Sequence, residues 1–332
     1  MANEILKLNS SIVRGGTSKA IFIEEKELPP PGSMRDKIIL SLFGSPSLRQ
    51  LDGLGGADIT TSKVAIIGNP SHEGADVDYT FGQVSMDEAM IDWSGNCGNI
   101  SSAVGPYVIH KGLVKNVDSL TTVRIHLTNS GQILIAKVQT KNGQPCIDGD
   151  FIIGGVPGTA SPIEMDWSQI IGPTTGKMLP TGNAIDDIEM DGKKYLTSVV
   201  DVGNTVIYIK ASDFGLRGTE SPNEINENKE LLNSIEKLRS IVCQKIGLVK
   251  DWRDARTQIP YKPFISLISE PAAYDTYTGE HINKEKVDIV ARQYLMLEVV
   301  KAYPGTGTAN MGCAARIKGS LVYELLSELS KE

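Results

Sequence analysis

The chain has 332 residues, of which 40% are hydrophobic and 22% charged, with a formal net charge of −7. This composition suits a soluble globular protein with one large domain or two medium ones. It argues against nucleic acid or an anionic membrane as the main partner, since both demand a basic surface.

In chain order, Met1-Ala2-Asn3-Glu4-Ile5 lacks the basic and apolar segments of a signal peptide. Ile5 to Val13 predicts a first strand, followed by the glycine-rich turn Arg14-Gly15-Gly16-Thr17-Ser18-Lys19. Ser33 to Phe43 has helical spacing after Pro29-Pro30-Pro31. Gly53-Leu54-Gly55-Gly56-Ala57 is a second turn whose backbone N–H groups could cradle a carboxylate; a plain turn would look the same. Thr60-Thr61-Ser62-Lys63 leads into an expected strand, Lys63 to Gly68, and the next strand spans Val77 to Val84. A lysine at the mouth of a buried strand is either a solvated strand end or, if desolvated, a usable base. His72, Glu73, Asp76 and Asp78 read as a solvated turn entering that second strand rather than as metal ligands.

Asn96-Cys97-Gly98-Asn99 is the sharpest local feature. It opens an expected helix, Asn99 to Gly112. A cysteine there sits at the positive end of the helix dipole, the setting of a reactive thiolate, although buried structural cysteines are equally common. Thr122 to Leu127 and Ile133 to Thr140 are further strands, and the Gly/Pro/Thr-rich stretch 154–182 suits a connection between lobes. Gly172-Pro-Thr-Thr-Gly-Lys177 is one residue short of a phosphate-binding loop and lacks its magnesium-binding hydroxyl. Thr197 to Ile209 is strand-like but interrupted at Gly203-Asn204; Asn223 to Gly247 predicts a long helix, Phe264 to Ser269 a strand, and Thr306 to Ser330 a last helix. The order of strands and helices fits α+β rather than a doubly wound parallel sheet. A short repeat places Cys97-Gly98-Asn99 and Pro304-Gly305-Thr306 each before an apolar helix. Two helix N-termini aimed at one cleft would make an anion site.

Cys97, Cys146, Cys243 and Cys313 form no CxxC pair, the four histidines are scattered, and no apolar stretch approaches a membrane span. A reduced, cytoplasmic protein is expected, with no metal.

Several segments together resemble the methylitaconate isomerase and 2-methylaconitate cis-trans isomerase family, the PrpF family. They are Arg14-Gly-Gly-Thr-Ser-Lys19, Phe43-Gly-Ser-Pro46, Gln50-Leu-Asp-Gly-Leu-Gly-Gly-Ala57, Thr61-Ser-Lys-Val-Ala65, Gly74-Ala-Asp-Val-Asp-Tyr79, Asn96-Cys-Gly-Asn-Ile100, Gly155-Val-Pro-Gly-Thr159, Leu179-Pro-Thr-Gly182, Asp201-Val-Gly-Asn204 and Gly305-Thr-Gly307. The resemblance implies a two-lobed diaminopimelate-epimerase-like fold, each lobe a mostly antiparallel, strongly curved sheet around a central helix, with lobes at 1–180 and 181–332. It implies no organic cofactor, Lys63 and Cys97 as the catalytic pair, and a C=C isomerisation in an unsaturated di- or tricarboxylic acid. Thr17, Ser18, Gly55, Thr61, Ser62, Asn69, Gly98, Asn99, Asn204, Gly305 and Thr306 are the expected substrate-binding residues. The expected partners are a small polycarboxylate and a second copy of the chain, in a homodimer or homotetramer.

Family members carry a histidine where this chain has Val300, and continue past the last helix with a His-Pro-Ser-Gly segment and further strands. A shortened second lobe is therefore expected, and the alternatives are a degenerate polycarboxylate binder, a tautomerase or an epimerase. Pro304 speaks against the epimerase, because proline cannot transfer a proton where such enzymes place a second thiol.

Overall fold

A computed structural model describes residues 6–331. The chain divides into two compact units, Met1–Gln169 and Ile170–Glu332. The division falls before residue 180 because the later part of the connection, from Ile170 on, already belongs to the second unit. Gly203 N donates to Ile170 O at 3.0 Å and Gly172 N to Asp201 O at 2.8 Å. Thr174 and Thr175 N–H groups and the Thr175 hydroxyl converge on Asp201 Oδ2 at 3.0, 2.7 and 2.8 Å. The stretch resembling a phosphate loop thus wraps a buried carboxylate of its own unit, which satisfies a charge that would otherwise be expensive to bury.

The first unit runs β1 (Ser10–Gly15), β2 (Ser18–Glu24), α1 (Ser33–Phe43), β3 (Lys63–Gly68), β4 (Val77–Val84), β5 (Ile91–Asp92), α2 (Gly98–His110), β6 (Ser119–Leu127), β7 (Gln132–Lys141), β8 (Gln144–Pro145) and β9 (Ile163–Asp166). Its sheet has the order β1-β2-β3-β4-β6-β7-β8, with β5 on β4 and β9 on β7. Only β2–β3 and β4–β6 pair in parallel. The first strand starts later than expected, and Ile5 lies outside the described residues. Strand alternation sorts the side chains. Ile21, Ile23, Val64 and Ile66 pack with Ile39 and Phe43 of α1. On the other face Phe22 meets Tyr107 of α2, ring centroids 4.9 Å apart. Helix α2 touches β1, β2, β6, β7, β8 and β9, so the sheet curves around it. It buries Ile100, Val104, Val108 and Ile109, each worth roughly 1.5–3 kcal/mol on removal from water.

The second unit runs β10 (Asp186–Met190), β11 (Lys193–Val202), β12 (Asn204–Lys210), α3 (Pro222–Glu227), α4 (Lys229–Lys245), α5 (Ala255–Gln258), β13 (Phe264–Ser269), β14 (Tyr274–Asp275), β15 (His281–Ile282), β16 (Val290–Leu295), β17 (Glu298–Val299), α6 (Gly305–Ala314), α7 (Leu321–Leu325) and α8 (Glu328–Lys331). The sheet order is β10-β11-β12-β13-β16-β17. One face packs on α4 through Val199, Ile207, Ile265 and Leu267 against Leu232, Ile235, Leu238 and Val242. The strand expected at 197–209 is broken at Gly203, where φ is +68°. The long helix expected at 223–247 is two, because Asn228 ends α3 and its side chain caps α4 by accepting from Leu231 N. The helix expected at 306–330 ends at Ala314; Gly319 takes φ +82° and Ser320 caps α7 instead.

The repeat is structural. In each unit a hairpin (β1–β2, β11–β12) leads through a crossover to a parallel strand (β3, β13). An antiparallel strand follows (β4, β16), then a two-residue return strand (β5, β17) and a helix (α2, α6).

Asn310 holds α6 to its hairpin. Its Nδ2 lies 2.9, 3.1 and 2.8 Å from the carbonyls of Val200, Val202 and Asn204, and its Oδ1 accepts from Tyr208 at 2.7 Å. Asn310→Ala leaves these buried groups unpaired and should destabilise the chain by about 2–4 kcal/mol in urea unfolding. A loss under about 1 kcal/mol would show that solvent replaces the amide.

Candidate active site

Lys63 opens β3 and is 5% exposed, so the solvated strand end is not what forms. The register pairs it with Ala20 of β2 and Gln83 of β4, on the face turned to α2. Its Nζ donates to Gln83 Oε1 at 2.5 Å and lies 5.4 Å from the centre of the Phe81 ring. Burial holds its pKa below the ordinary lysine value; negative charge at Cys97 and Asp58 opposes that shift. The amine and the thiol are thus close enough to act on each other electrostatically.

Cys97 is the N-cap of α2, with extended backbone (φ −115°, ψ 103°). Its side chain makes no cap bond, so the thiol is not engaged by the helix end. Its carbonyl accepts from both the backbone and the hydroxyl of Ser101, each at 2.8 Å. Tyr79, two residues along the same strand face from Phe81, is fully buried, which drives its hydroxyl pKa well up, with Cys97 adding to the shift.

Asn99, in the first turn of α2, donates to Thr17 Oγ1 at 3.0 Å and approaches Ser18 Oγ at 3.5 Å. The two glycines of the first motif are explained by that contact. A Cβ at Gly15 would sit 2.2 Å from Asn99 O, and one at Gly16 2.2 Å from Asn99 Oδ1. Thr17, Ser18, Gly98 and Asn99 therefore stand together at the helix start.

The turn 53–62 has a different duty. Gln50 is 1% exposed; its Oε1 accepts from Ala57 N and Ser62 Oγ, both at 2.8 Å, and its Nε2 donates to Ser45 Oγ at 3.1 Å. Gly55 lies directly against that carboxamide, with its N–H donating to Phe43 O, and Thr61 Oγ1 donates to Asp58 O. Gly55, Thr61 and Ser62 thus build the loop that delivers Lys63. Asn69 lies beyond the opposite end of β3, roughly 20 Å along the strand from Lys63, and lines a separate cavity of about 550 Å³ with Glu24, Arg35 and Asp76.

In the second unit Asn204 Nδ2 donates to Thr306 Oγ1 at 3.0 Å, beside Gly305 at the start of α6. This contact repeats that of Asn99 with Ser18: in both units the second residue of the helix meets the first residue of the hairpin's second strand. Pro304 is the N-cap, where the first unit has Cys97. Val300 is buried and its N–H donates to Gln293 O at 2.9 Å. Among the described residues no group of three His, Cys, Asp or Glu side chains could hold a metal ion, and no helix is long and apolar enough to cross a membrane. Gln83 escaped the sequence analysis, and Gln50 stood there only as the first residue of a family motif. A glutamine carries no local signal of burial, and only the strand register brings Gln83 to Lys63.

Two curved α+β units, each with a helix start against a hairpin, define the diaminopimelate-epimerase-like class. A solved hydroxyproline epimerase from Agrobacterium vitis shares the fold at 12% identity, with TM-score 0.53 over 93% of this chain and 78% of the other. Within that class the chain belongs to the PrpF family, whose model, described as PrpF protein, matches residues 5–331. It is 45% identical over 328 residues to the 3-methylitaconate isomerase of Eubacterium barkeri, covering 98% of this chain and 86% of the other. A solved methylitaconate-delta-isomerase is also 45% identical, with TM-score 0.78 over 97% and 83% of the two chains. The 2-methyl-aconitate isomerase of Shewanella oneidensis is 35% identical over 331 residues, covering 96% and 83%.

Gln83→Met removes the acceptor at Lys63 Nζ and leaves desolvation less opposed, so the lysine pKa should fall further. The pH midpoint of Lys63 acylation, followed by mass spectrometry, should move down in the variant. An unmoved midpoint would show that Gln83 does not hold the amine.

Proposed function

We propose that this protein is an isomerase that moves or reorients a C=C bond in an unsaturated di- or tricarboxylic acid of the methylitaconate or methylaconitate type, with Lys63 and Cys97 carrying the proton. The observation that supports this reading most is the buried amine held on one amide oxygen, within electrostatic reach of a thiol at a helix start. Moving the double bond removes a proton from a carbon next to a carboxylate. The electron pair left behind forms the new C=C, and a proton returns to the far carbon of the old one. The intermediate spreads its negative charge onto carboxylate oxygens, and the N–H groups of Gly98 and Asn99 at the positive end of α2 suit that charge. A lysine of lowered pKa exchanges protons nearer neutrality than an ordinary one, and the Cys97 thiol supplies the second transferring group. The cysteines of the described residues are all free, so a reducing compartment, the cytoplasm, is the proposed location.

Itaconate, aconitate and their methyl derivatives should be screened for a change in conjugated C=C absorbance and for deuterium uptake from solvent. Cys97→Ser should lower turnover by at least ~100-fold. Lys63→Arg separates proton transfer from charge attraction. Arginine keeps the cation but cannot release a proton near neutral pH, so binding should stay within about tenfold while turnover and hydrogen exchange are lost together. An arginine variant with near-normal turnover removes Lys63 from the chemistry. Wild-type protein that binds these acids without ever exchanging a proton is a binder, not an isomerase.

A further inference from the structure

The strand face that holds Lys63 in place carries a second buried polar group. Gln83, Phe81 and Tyr79 alternate along β4 on the side of the sheet turned to α2. Gln83 binds the amine, and the Phe81 ring lies near it. Tyr79 is the next residue on that face and is fully buried. Its hydroxyl has no hydrogen-bond partner among the described residues. The fully buried Tyr208 and Tyr294 differ: they donate to Asn310 Oδ1 at 2.7 Å and to Glu236 Oε2 at 3.1 Å. A hydroxyl taken out of water with nothing to bond is a cost that phenylalanine would avoid at nearly the same size. A group retained at such a cost calls for a partner that is present only part of the time.

The surroundings of the hydroxyl indicate that partner. Cys97 and Ser101 stand four residues apart at the start of α2, so their side chains lie over one face of the helix. Both are buried, Ser101 completely. Tyr79 is within electrostatic reach of Cys97, and Ser101 is close enough to oppose the rise in the tyrosine pKa. Ser101 is not the missing partner. Its hydroxyl donates to Cys97 O at 2.8 Å and makes no bond of full geometry to the tyrosine. The Cys97 side chain remains, and the helix end does not engage it. A protonated thiol is a weak acceptor, which leaves the hydroxyl idle; a thiolate is a charged and therefore strong one. Burial drives the Tyr79 pKa well up, so across the neutral range the tyrosine keeps its proton and acts only as a donor.

We propose that Tyr79 is a positioning residue for Cys97, its hydroxyl donating a hydrogen bond to the sulfur whenever the thiol has given up its proton and falling idle when the proton returns. The tyrosine holds the thiolate at the start of α2 and keeps its own proton throughout, so no covalent bond is made or broken at Tyr79. The inference rests on the function proposed above for the use of the thiolate, not for the hydrogen bond itself.

The full chain is treated with iodoacetamide across a range of pH, and alkylation of Cys97 is followed by mass spectrometry. In Tyr79→Phe the pH midpoint of that alkylation should rise. On the acid side of the wild-type midpoint the rate should fall about tenfold, the usual effect of losing one hydrogen bond to an ionised group. The thermal transition should stay where it is or rise, because the variant removes no bond that the protein makes while the thiol is protonated. An unmoved midpoint overturns the proposal, and an unmoved midpoint with a lowered thermal transition assigns the hydroxyl to Ser101 instead. A crystal of the wild-type protein held on the alkaline side of the midpoint needs no variant. It should show Tyr79 Oη within hydrogen-bond distance of Cys97 Sγ; a hydroxyl turned to Ser101 Oγ, or left unpaired, overturns the proposal as well. Neither the midpoint nor the crystal needs a substrate. Turnover with a midpoint indifferent to Tyr79 sinks this proposal alone, and a Tyr79-dependent midpoint in a chain that exchanges no substrate proton sinks the isomerase alone.

Discussion

An ammonium group taken out of water and held by one amide oxygen is the constraint on which the first unit depends. Lys63 is buried, with the Phe81 ring near its amine, and Gln83 supplies its hydrogen bond. The glutamine can do so in only one orientation. Its Nε2 donates to Ile59 O at 3.2 Å and Ser62 O at 2.9 Å, so the oxygen must face the amine. Reversing the amide would set N–H against N–H and oxygen against two carbonyls. The residue that holds the lysine thereby also holds the loop that enters β3. Gln50 repeats the device one layer out, joining Ser45, Ala57 and Ser62 through one carboxamide. Two buried amides, each satisfied at both ends, fix the amine to a strand rather than to a mobile loop.

Desolvation works against stability and in favour of chemistry at the same site. The folded chain holds Lys63 at a lowered pKa. Between that value and the ordinary lysine value, the unfolded chain binds more protons, so this group's contribution to stability rises with pH through that window. At neutral pH the protein therefore carries a strained group that an apolar side chain would relieve. Such a loss is tolerable where the group is used, as it would be in the proton transfer proposed for Lys63.

The sequence revealed local signals faithfully. Helix α1 and strands β3, β4 and β13 form over the expected residues, because alternation, β-branching and glycine breaks are properties of short windows. Cys97 was legible from its place before a helix. Lys63 was not legible from the residues alone, since a lone lysine defaults to the surface; the family resemblance supplied it. Gln83 could not be found at all. It acquires meaning only from a cross-strand neighbour twenty positions away in sequence. Asn69, expected at the site from the family resemblance, lies the full length of a strand from Lys63. The helix expected at 306–330 failed on Gly319-Ser320, a stop signal with its own cap that the apolar spacing had obscured.

The glycine-rich motifs that make the family recognisable owe their form to close approach more than to flexibility. Gly15 and Gly16 admit Asn99, Gly55 admits Gln50, and Gly307 admits Gln293. At Gly15 the intruder is a backbone carbonyl; at the other three it is an amide side chain, which offers a donor and an acceptor in one plane without a charge. A unit that must present backbone N–H groups and a few polar side chains to an anion, while burying everything else, gains from such neutral supports. A charged support would have competed with the substrate for the same N–H groups. The first unit adds an amine and a thiol to this scaffold, and the second has Phe264, which pairs with the third residue of β12 as Lys63 pairs with the third residue of β2, and Pro304 in their places. Both groups proposed to transfer the proton thus belong to one unit. That arrangement suits a proton that leaves and returns on the same face of a planar intermediate. Inversion of a stereocentre instead requires acid and base on opposite faces.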